Sequence, residues 1–271
     1  MSQLYICFPN WTYKAVTLSY DDGRISDRRL VSICNQYKLK ATFHLCDSFL
    51  DQHKEGELPF ISRKEVNTLY EGHEVSNHTL NHSTLTRSPC EHIISEVVEN
   101  RKALEKLVAY PIKGLSYPNG VYNSHVTQIL RALGIKYSRT CLASHRFHLP
   151  DDYLLWHPTC HHNDDILQKA ETFLQVSYNQ RLLLFYVWGH SYEFERDDNW
   201  EVIEAFAQKI GNRPDIWYAT NLEIYDYMHK ASLLECFGDE HGAYNPTDTM
   251  IWLTKGETRY QIGPGQTVFF E

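Results

Sequence analysis

The sequence predicts an α/β protein: parallel strands joined by helical crossovers and closed into a barrel, followed by a small antiparallel β-appendage. Three observations carry this. Short apolar runs alternate with helix-like segments along most of the 271 residues. Residues able to do chemistry cluster at or just beyond the C-terminal ends of those runs, where barrel loops converge on one mouth. From about Cys236 the rhythm changes to strand-like runs separated by glycine-containing turns. The length suits one large domain with an appendage, divided here as 1–235 and 236–271.

Taken in order, Ala15–Ser19 is the first strand. Ser26–Tyr37 follows as a helix, because Leu30, Ile33, Cys34 and Tyr37 fall on one face. Ala41–Leu45 is the next strand, and Ser62 to Glu65 reads as a capping box opening a helix towards Tyr70. After a brief strand at Glu74–Asn77, Ser88 to Glu91 forms a second capping box, with Pro89 at the first helical position of a helix to about Leu107. Leu115–Tyr117, Lys136–Arg139, Leu154–Trp156 and Leu182–Val187 are further strands. Helices are expected near Ser124–Leu133, Asp165–Tyr178, Trp200–Ile210 and Asn221–Leu234. In the appendage, Met250–Thr254 and Thr258–Ile262 flank Lys255-Gly256-Glu257, and Gly263-Pro264-Gly265 leads into Thr267–Phe270.

A formal charge of -8 argues against a nucleic-acid backbone or an anionic membrane as partner. No apolar run is long enough to span a bilayer; the longest, near Leu182–Trp188, falls far short. The seven scattered cysteines contain no CxxC pair, which reads as reduced thiols. With no secretion signal visible in Met1–Asn10, a cytoplasmic setting is expected. Homo-oligomerisation is left open.

The strand ends carry the chemistry. Tyr20-Asp21-Asp22-Gly23 follows the first strand, Asn77-His78 closes the third, and Tyr117-Pro118-Asn119-Gly120 ends the fourth. Arg139 closes the fifth, and Gly189-His190 follows Leu182–Trp188. An Asp-Asp-Gly step is by itself commonly a turn or helix cap. His78 and His82 form an HxxxH, which on a helix would bring both imidazoles to one face within reach of one ion. His190 after an apolar strand needs either a task or a hydrogen-bonded core partner. A carboxylate and two imidazoles are a common ligand set for a catalytic divalent metal, leaving a carboxylate and an imidazole as base and acid. From the residues alone either Asp21 or Asp22 could be ligand or base. Trp188 serves equally as a cleft wall or as core. Cys160-His161-His162 cannot all face one ion from a strand, where side chains alternate, although one of them can line a cleft. Asp197-Asp198 and Asp239-Glu240-His241 read as solvated turns.

These motifs resemble those of the polysaccharide deacetylases (carbohydrate esterase family 4, the nodulation-factor deacetylase homology domain). Ser19-Tyr20-Asp21-Asp22-Gly23 resembles the family's [TS]-[FY]-D-D-G, and Gly72 to His82 its GHE-x-x-NH[TS]-x-x-H segment. Ala41-Thr42-Phe43, Tyr117-Pro118-Asn119-Gly120 and Trp188-Gly189-His190 are similar to its ATF, P-x-G and [LW]-x-H elements, over about Tyr13 to Asn221. The resemblance implies a distorted (β/α)7-type barrel with a metal-dependent deacetylase at its mouth, acting on linear amide bonds of an N-acetylated sugar or oligosaccharide. By that analogy Asp22, His78 and His82 hold the metal, Asp21 is the general base and His190 the general acid. Zinc is the default ion, with cobalt, nickel, manganese or iron also accepted by such ligands. Tyr117, Asn119, Arg139 and Trp188 are the expected substrate-side residues, the turn at Tyr117–Gly120 supplying an amide to the oxyanion.

Two departures stand out. Ser116 occupies the place of the family's arginine, for which Arg139 is the candidate substitute. The family's Trp-Asp element is not evident either: Trp156-His157-Pro158-Thr159 lies in its stretch, so His190 needs another orienting partner. Two other functions compete. A cyclic imide, ureide or other small-amide hydrolase could use the same barrel, and so could a non-catalytic carbohydrate binder. The intact Asp-His-His set favours the sugar deacetylase over both.

Overall fold

The computed structural model describes residues 3–53, 55–177 and 180–271. A short strand, β1 (Leu4–Cys7), precedes the first barrel strand, β2 (Lys14–Asp21). Alternation along β2 sets the plan of the molecule. Val16, Leu18 and Tyr20 join the large apolar cluster beneath the helices, whereas Ala15, Thr17, Ser19 and Asp21 take the opposite phase and face the barrel interior. Helix α1 (Asp27–Gln36) crosses back to β3 (Ala41–Leu45), and the single-turn α2 (Val66–Leu69) leads to β4 (Glu74–Asn77). The 19-residue α3 (Cys90–Val108) precedes β5 (Gly114–Ser116), and α4 (Ser124–Ala132) precedes β6 (Tyr137–Arg139). Next come β7 (Cys160–His161), α5 (Ile166–Gln175), β8 (Leu183–Gly189), α6 (Tyr192–Arg196), α7 (Trp200–Ile210), β9 (Ile216–Tyr218) and α8 (Asn221–Ala231).

The parallel sheet runs β6-β5-β4-β3-β2-β8-β7. One segment closes it. Trp156 bridges Arg139 of β6, and a few residues later β7 pairs in parallel with β8. β9 takes the N-terminal half of one edge of β2, opposite Lys14–Val16, while β3 takes the C-terminal half from Leu18. These strands are nearly continuous buried runs, as expected when helices cover one face and a filled interior the other. Gly114 is required inside: a Cβ there would lie 2.0 Å from the Tyr137 ring.

The chain's end forms β10 (Glu235–Cys236), β11 (Gly242–Tyr244), β12 (Ile251–Lys255), β13 (Thr258–Ile262) and β14 (Thr267–Phe269). They make two antiparallel sheets, β1-β12-β13 and β10-β11-β14, so the chain's first strand joins its last ones. Ala243, Ile251, Leu253 and Ile262 share an apolar cluster with Ala15, Leu184 and Tyr186 of the barrel, closing its N-terminal end.

The structure corrects several sequence expectations. Leu154–Trp156 is not a strand: Tyr153–Leu155 is a 3-10 turn capped by Asp152, whose side chain accepts from Leu154 N–H. Pro158 shortly after limits the ladder to the Trp156 bridge. The Ser88 capping box does not form; Pro89 precedes the first turn of α3 without a side-chain cap, and Ser88 Oγ turns back to the Thr84 carbonyl. Glu65 does accept from Ser62 N–H at 2.7 Å, but Ser62 Oγ donates to Asp51 instead and only Val66–Leu69 is helical. Tyr178, the expected end of the α5 segment, lies outside the described residues.

Candidate active site at the barrel mouth

Strand alternation delivers the site. Asp21 on β2, Ser116 on β5 and Arg139 on β6 occupy inward phases at the C-terminal ends, and His78 follows the inward Ser76 by two residues. Asp21 is 3% exposed, Arg139 0% and His78 1%. Arg139 Nη2 donates to Asp21 Oδ2, and Ser116 Oγ donates to Asp21 Oδ1 at 3.2 Å. Burial alone would raise the Asp21 pKa, but Arg139, then His78, His44 and His190, hold it well below the usual carboxylate range. Arg139 closes β6 directly opposite Ser116 of β5, so its guanidinium reaches Asp21 beside the Ser116 hydroxyl. Its own charge is held by Asp21 despite burial, and Trp188 stacks on it at 4.4 Å.

The imidazole of His78 is oriented by its Nδ1, which lies 3.0 Å from the Ser116 carbonyl and 2.6 Å from Ser116 Oγ. Donation to the carbonyl leaves the Nε2 lone pair facing outward, the usual arrangement of a ligating histidine. Burial lowers the His78 pKa, which keeps that lone pair free of a proton. His78 Nε2 is 3.8 Å from Asp22 Oδ1 and 3.8 Å from Asp21 Oδ2. Ligand atoms of Asp22, His78 and His82 all lie within 4.8 Å of one another. Asp22 Oδ1 is buried with no hydrogen-bond partner among the described residues. A buried carboxylate oxygen without a donor, beside two imidazoles, fits a divalent cation.

His78 and His82 do not lie on a helix, as the HxxxH spacing would suggest. They bracket a loop in which Thr79 and His82 have φ of 63° and 56°. Helix α3 supplies what a helix would have supplied. Glu96 accepts from Asn81 N–H at 2.9 Å and from its side-chain amide at 2.7 Å, and the Glu96 carbonyl accepts from Leu80 N–H. Asn100 donates to Asn77 Oδ1 and to the Leu45 carbonyl, both at 2.8 Å. Neither residue was singled out from the sequence. The available signal was two polar positions, i and i+4, on the same face as Ile93, Val97 and Leu104.

Of the expected substrate-side residues, Tyr117 is not at the mouth. It takes the outward phase after Ser116, is 1% exposed among Leu85, Val97 and Leu130, and donates to the Leu154 carbonyl at 2.8 Å. Its N–H is bound to the Arg139 carbonyl, and Gly120 N–H to the Tyr117 carbonyl. Pro118 has no N–H, so Asn119 holds the turn's one amide without an acceptor among the described residues. Asn119 is held at φ 57°, its side chain donating to Thr84 Oγ1. Arg139 is fully buried behind Asp21, and Trp188 is half-buried between Arg139 and His190.

The carboxylate facing His190 belongs to Glu193, one turn into the next segment. Glu193 Oε2 accepts from His190 N–H at 3.1 Å and lies 3.4 Å from His190 Nδ1. Burial would lower the His190 pKa, but Glu193 and the two aspartates raise it above the ordinary value. Glu193 was missed in the sequence, although its spacing of three from His190 at a helix start was visible.

The family model for polysaccharide deacetylase matches residues 10–138. Over this stretch the chain is similar to the polysaccharide deacetylase family. A Bacillus cereus peptidoglycan-N-acetylglucosamine deacetylase is 27% identical over 123 residues, covering 45% of this chain and 54% of that protein. The match therefore spans about half the length of that curated relative. A Mycobacterium smegmatis structure described as a polysaccharide deacetylase superposes with a TM-score of 0.62 at 14% identity, covering 86% of this chain and 96% of that one. A Clostridium thermocellum family 4 acetyl xylan esterase, solved with a cobalt ion, gives 0.53 at 16% identity, with 79% and 91% covered. These structures share the fold, and the polysaccharide deacetylase barrel is the α/β architecture seen here. Among the described residues no helix is long and apolar enough to cross a membrane.

Proposed function

We propose that this polysaccharide deacetylase homologue is a metal-dependent amide hydrolase that removes acetyl groups from an N-acetylated sugar or oligosaccharide. One observation carries the reading: Asp22, His78 and His82 converge beside a second, buried carboxylate ion-paired to Arg139, with His190 alongside. A pure binding protein has no use for a spare base and acid in that arrangement. The relatives named as peptidoglycan deacetylases support a sugar amide as substrate.

In this reading Asp22, His78 and His82 hold the ion, with zinc the default for two imidazoles and a carboxylate. When bound, such an ion lowers the pKa of water from 15.7 to about 7 and polarises a carbonyl. Asp21, kept ionised by Arg139 and Ser116, accepts the proton of the attacking water. Asn119 N–H faces the developing oxyanion. His190, its charge favoured by Glu193, donates the proton that the departing amine needs. Trp188 walls the acetyl methyl, its far face covering Arg139. The unpaired thiols suit a reducing compartment.

The test is acetate release from N-acetylated chito-oligosaccharides and peptidoglycan fragments, with metal counted in parallel. Chelation is expected to abolish release and metal repletion to restore it. A fully active protein with no detectable metal would refute the reading.

A further inference from the structure

The barrel mouth holds a second constellation beside the first. Glu193 Oε2 lies 2.9 Å from His161 Nε2 and 3.4 Å from both His162 Nε2 and His190 Nδ1. His190 N–H also reaches it, at 3.1 Å. One carboxylate oxygen offers about two lone-pair directions, so these nitrogens outnumber the acceptor sites. His190 Nδ1 and both ring nitrogens of His162 are buried without a hydrogen-bond partner among the described residues. His162 is 0% exposed, its ring occupying the space a Cβ on Gly189 would need, 2.1 Å from Nδ1. The ligand atoms of His161, His190 and Glu193 lie within 4.8 Å of one another. Ligand bonds of 2.0–2.1 Å at tetrahedral angles separate neighbouring donors by roughly 3.3 Å, which matches these contacts.

We propose that His161, His190 and Glu193 form a second, inhibitory transition-metal site, in which a zinc-type ion takes the Nδ1 of His190. Two imidazoles and a carboxylate select zinc, nickel or copper over magnesium or calcium. The consequence for turnover rests on the acid role of His190 proposed above. A histidine acid carries protons on both nitrogens, gives up the one on Nε2 and ends as a neutral ring. With the ion on Nδ1, the ring holds a single Nε2 proton, whose loss would leave an anionic imidazolate. Donation to the amine therefore stops. Zinc in excess of the first ion is expected to silence the enzyme without unfolding it.

The experiment counts zinc by elemental analysis after equilibrium dialysis of the full chain against free zinc, alongside acetate release. Wild type is expected to hold two zinc ions per chain, and His161→Ala and Glu193→Gln one. As zinc rises past the first equivalent, wild-type activity should fall by about 10²-fold or more, while His161→Ala, measured against its own one-zinc rate, should not follow. His161 is half-exposed, so its truncation leaves the core intact. A second zinc retained by both variants overturns the proposal, as does wild type holding one ion that His78→Ala loses and His161→Ala keeps. The reverse, one ion kept by His78→Ala and lost by His161→Ala, supports this site and refutes the Asp22-His78-His82 reading instead.

Discussion

Asp21 at the mouth and Glu74 at the floor are both buried carboxylates, and their surroundings treat them in opposite ways. At the mouth, Asp21 faces a guanidinium and stays ionised well into acid. At the floor, Glu74 accepts from neutral donors: Tyr137 at 2.6 Å, Thr42 at 2.9 Å and Leu222 N–H at 2.9 Å. Burial, only partly offset by those bonds, pushes Glu74 up to about 7. Asp27, held by Tyr70 and Ser191, behaves like Glu74 and is pushed up to about 7. Depth does not decide charge; the partner does. At the mouth a buried cation keeps Asp21 ionised, whereas the floor binds strands and α8 with hydrogen bonds that need no charge.

The comparison can be broken most decisively by activity. Asp21→Asn should lower acetate release by about 10²–10⁴-fold with metal still bound, while Glu74→Gln should change it little. Equal losses in both variants would mean that the mouth carboxylate has no special role. Stability gives the next largest contrast. Arg139→Met leaves Asp21 buried without its cation and should destabilise the protein by about 3–5 kcal/mol in urea unfolding. A loss close to zero would show that Asp21 finds another partner or gives up its charge.

The floor has its own signature in pH. A carboxyl raised from 4.5 to about 7 on folding keeps a proton in the native state that the unfolded chain releases. Its stabilisation is complete below 4.5 and disappears as pH rises through about 7, so unfolding midpoints should decline across that window. Glu74→Gln should flatten its share of the decline, and an unchanged slope would place the titration elsewhere. The smallest effect is expected at Ser116→Ala, which removes one hydrogen bond to Asp21 and should cost about 1 kcal/mol. A loss as large as that of Arg139→Met would make Ser116, not the guanidinium, the main support of Asp21.

Local motifs were legible because they need no long-range information. Trp200–Ile210 forms the helix read from its periodicity, and β3 and β4 keep their expected bounds. The appendage strands were visible from their turns, but the pairing of Leu4–Cys7 with Ile251–Lys255 was not, since nothing local marks a partner so distant in sequence. In the site, Asp22, His78 and His82 could be named from compact motifs. Tyr117 was misassigned because a motif does not state strand phase, and that phase turns Ser116 inward and Tyr117 outward.

The sequence by itself determined most of the alternation of strands and helices, and the gathering of carboxylate and imidazole side chains at strand ends, because hydrophobic period and residue chemistry are local properties. Only the tertiary structure decided that Arg139 meets Asp21 across 118 positions, that Glu96 and Asn100 hold the histidine loop, and that Glu193 gathers three imidazoles. Those choices depend on barrel closure and on which face of each strand points inward. Neither is encoded in any single segment.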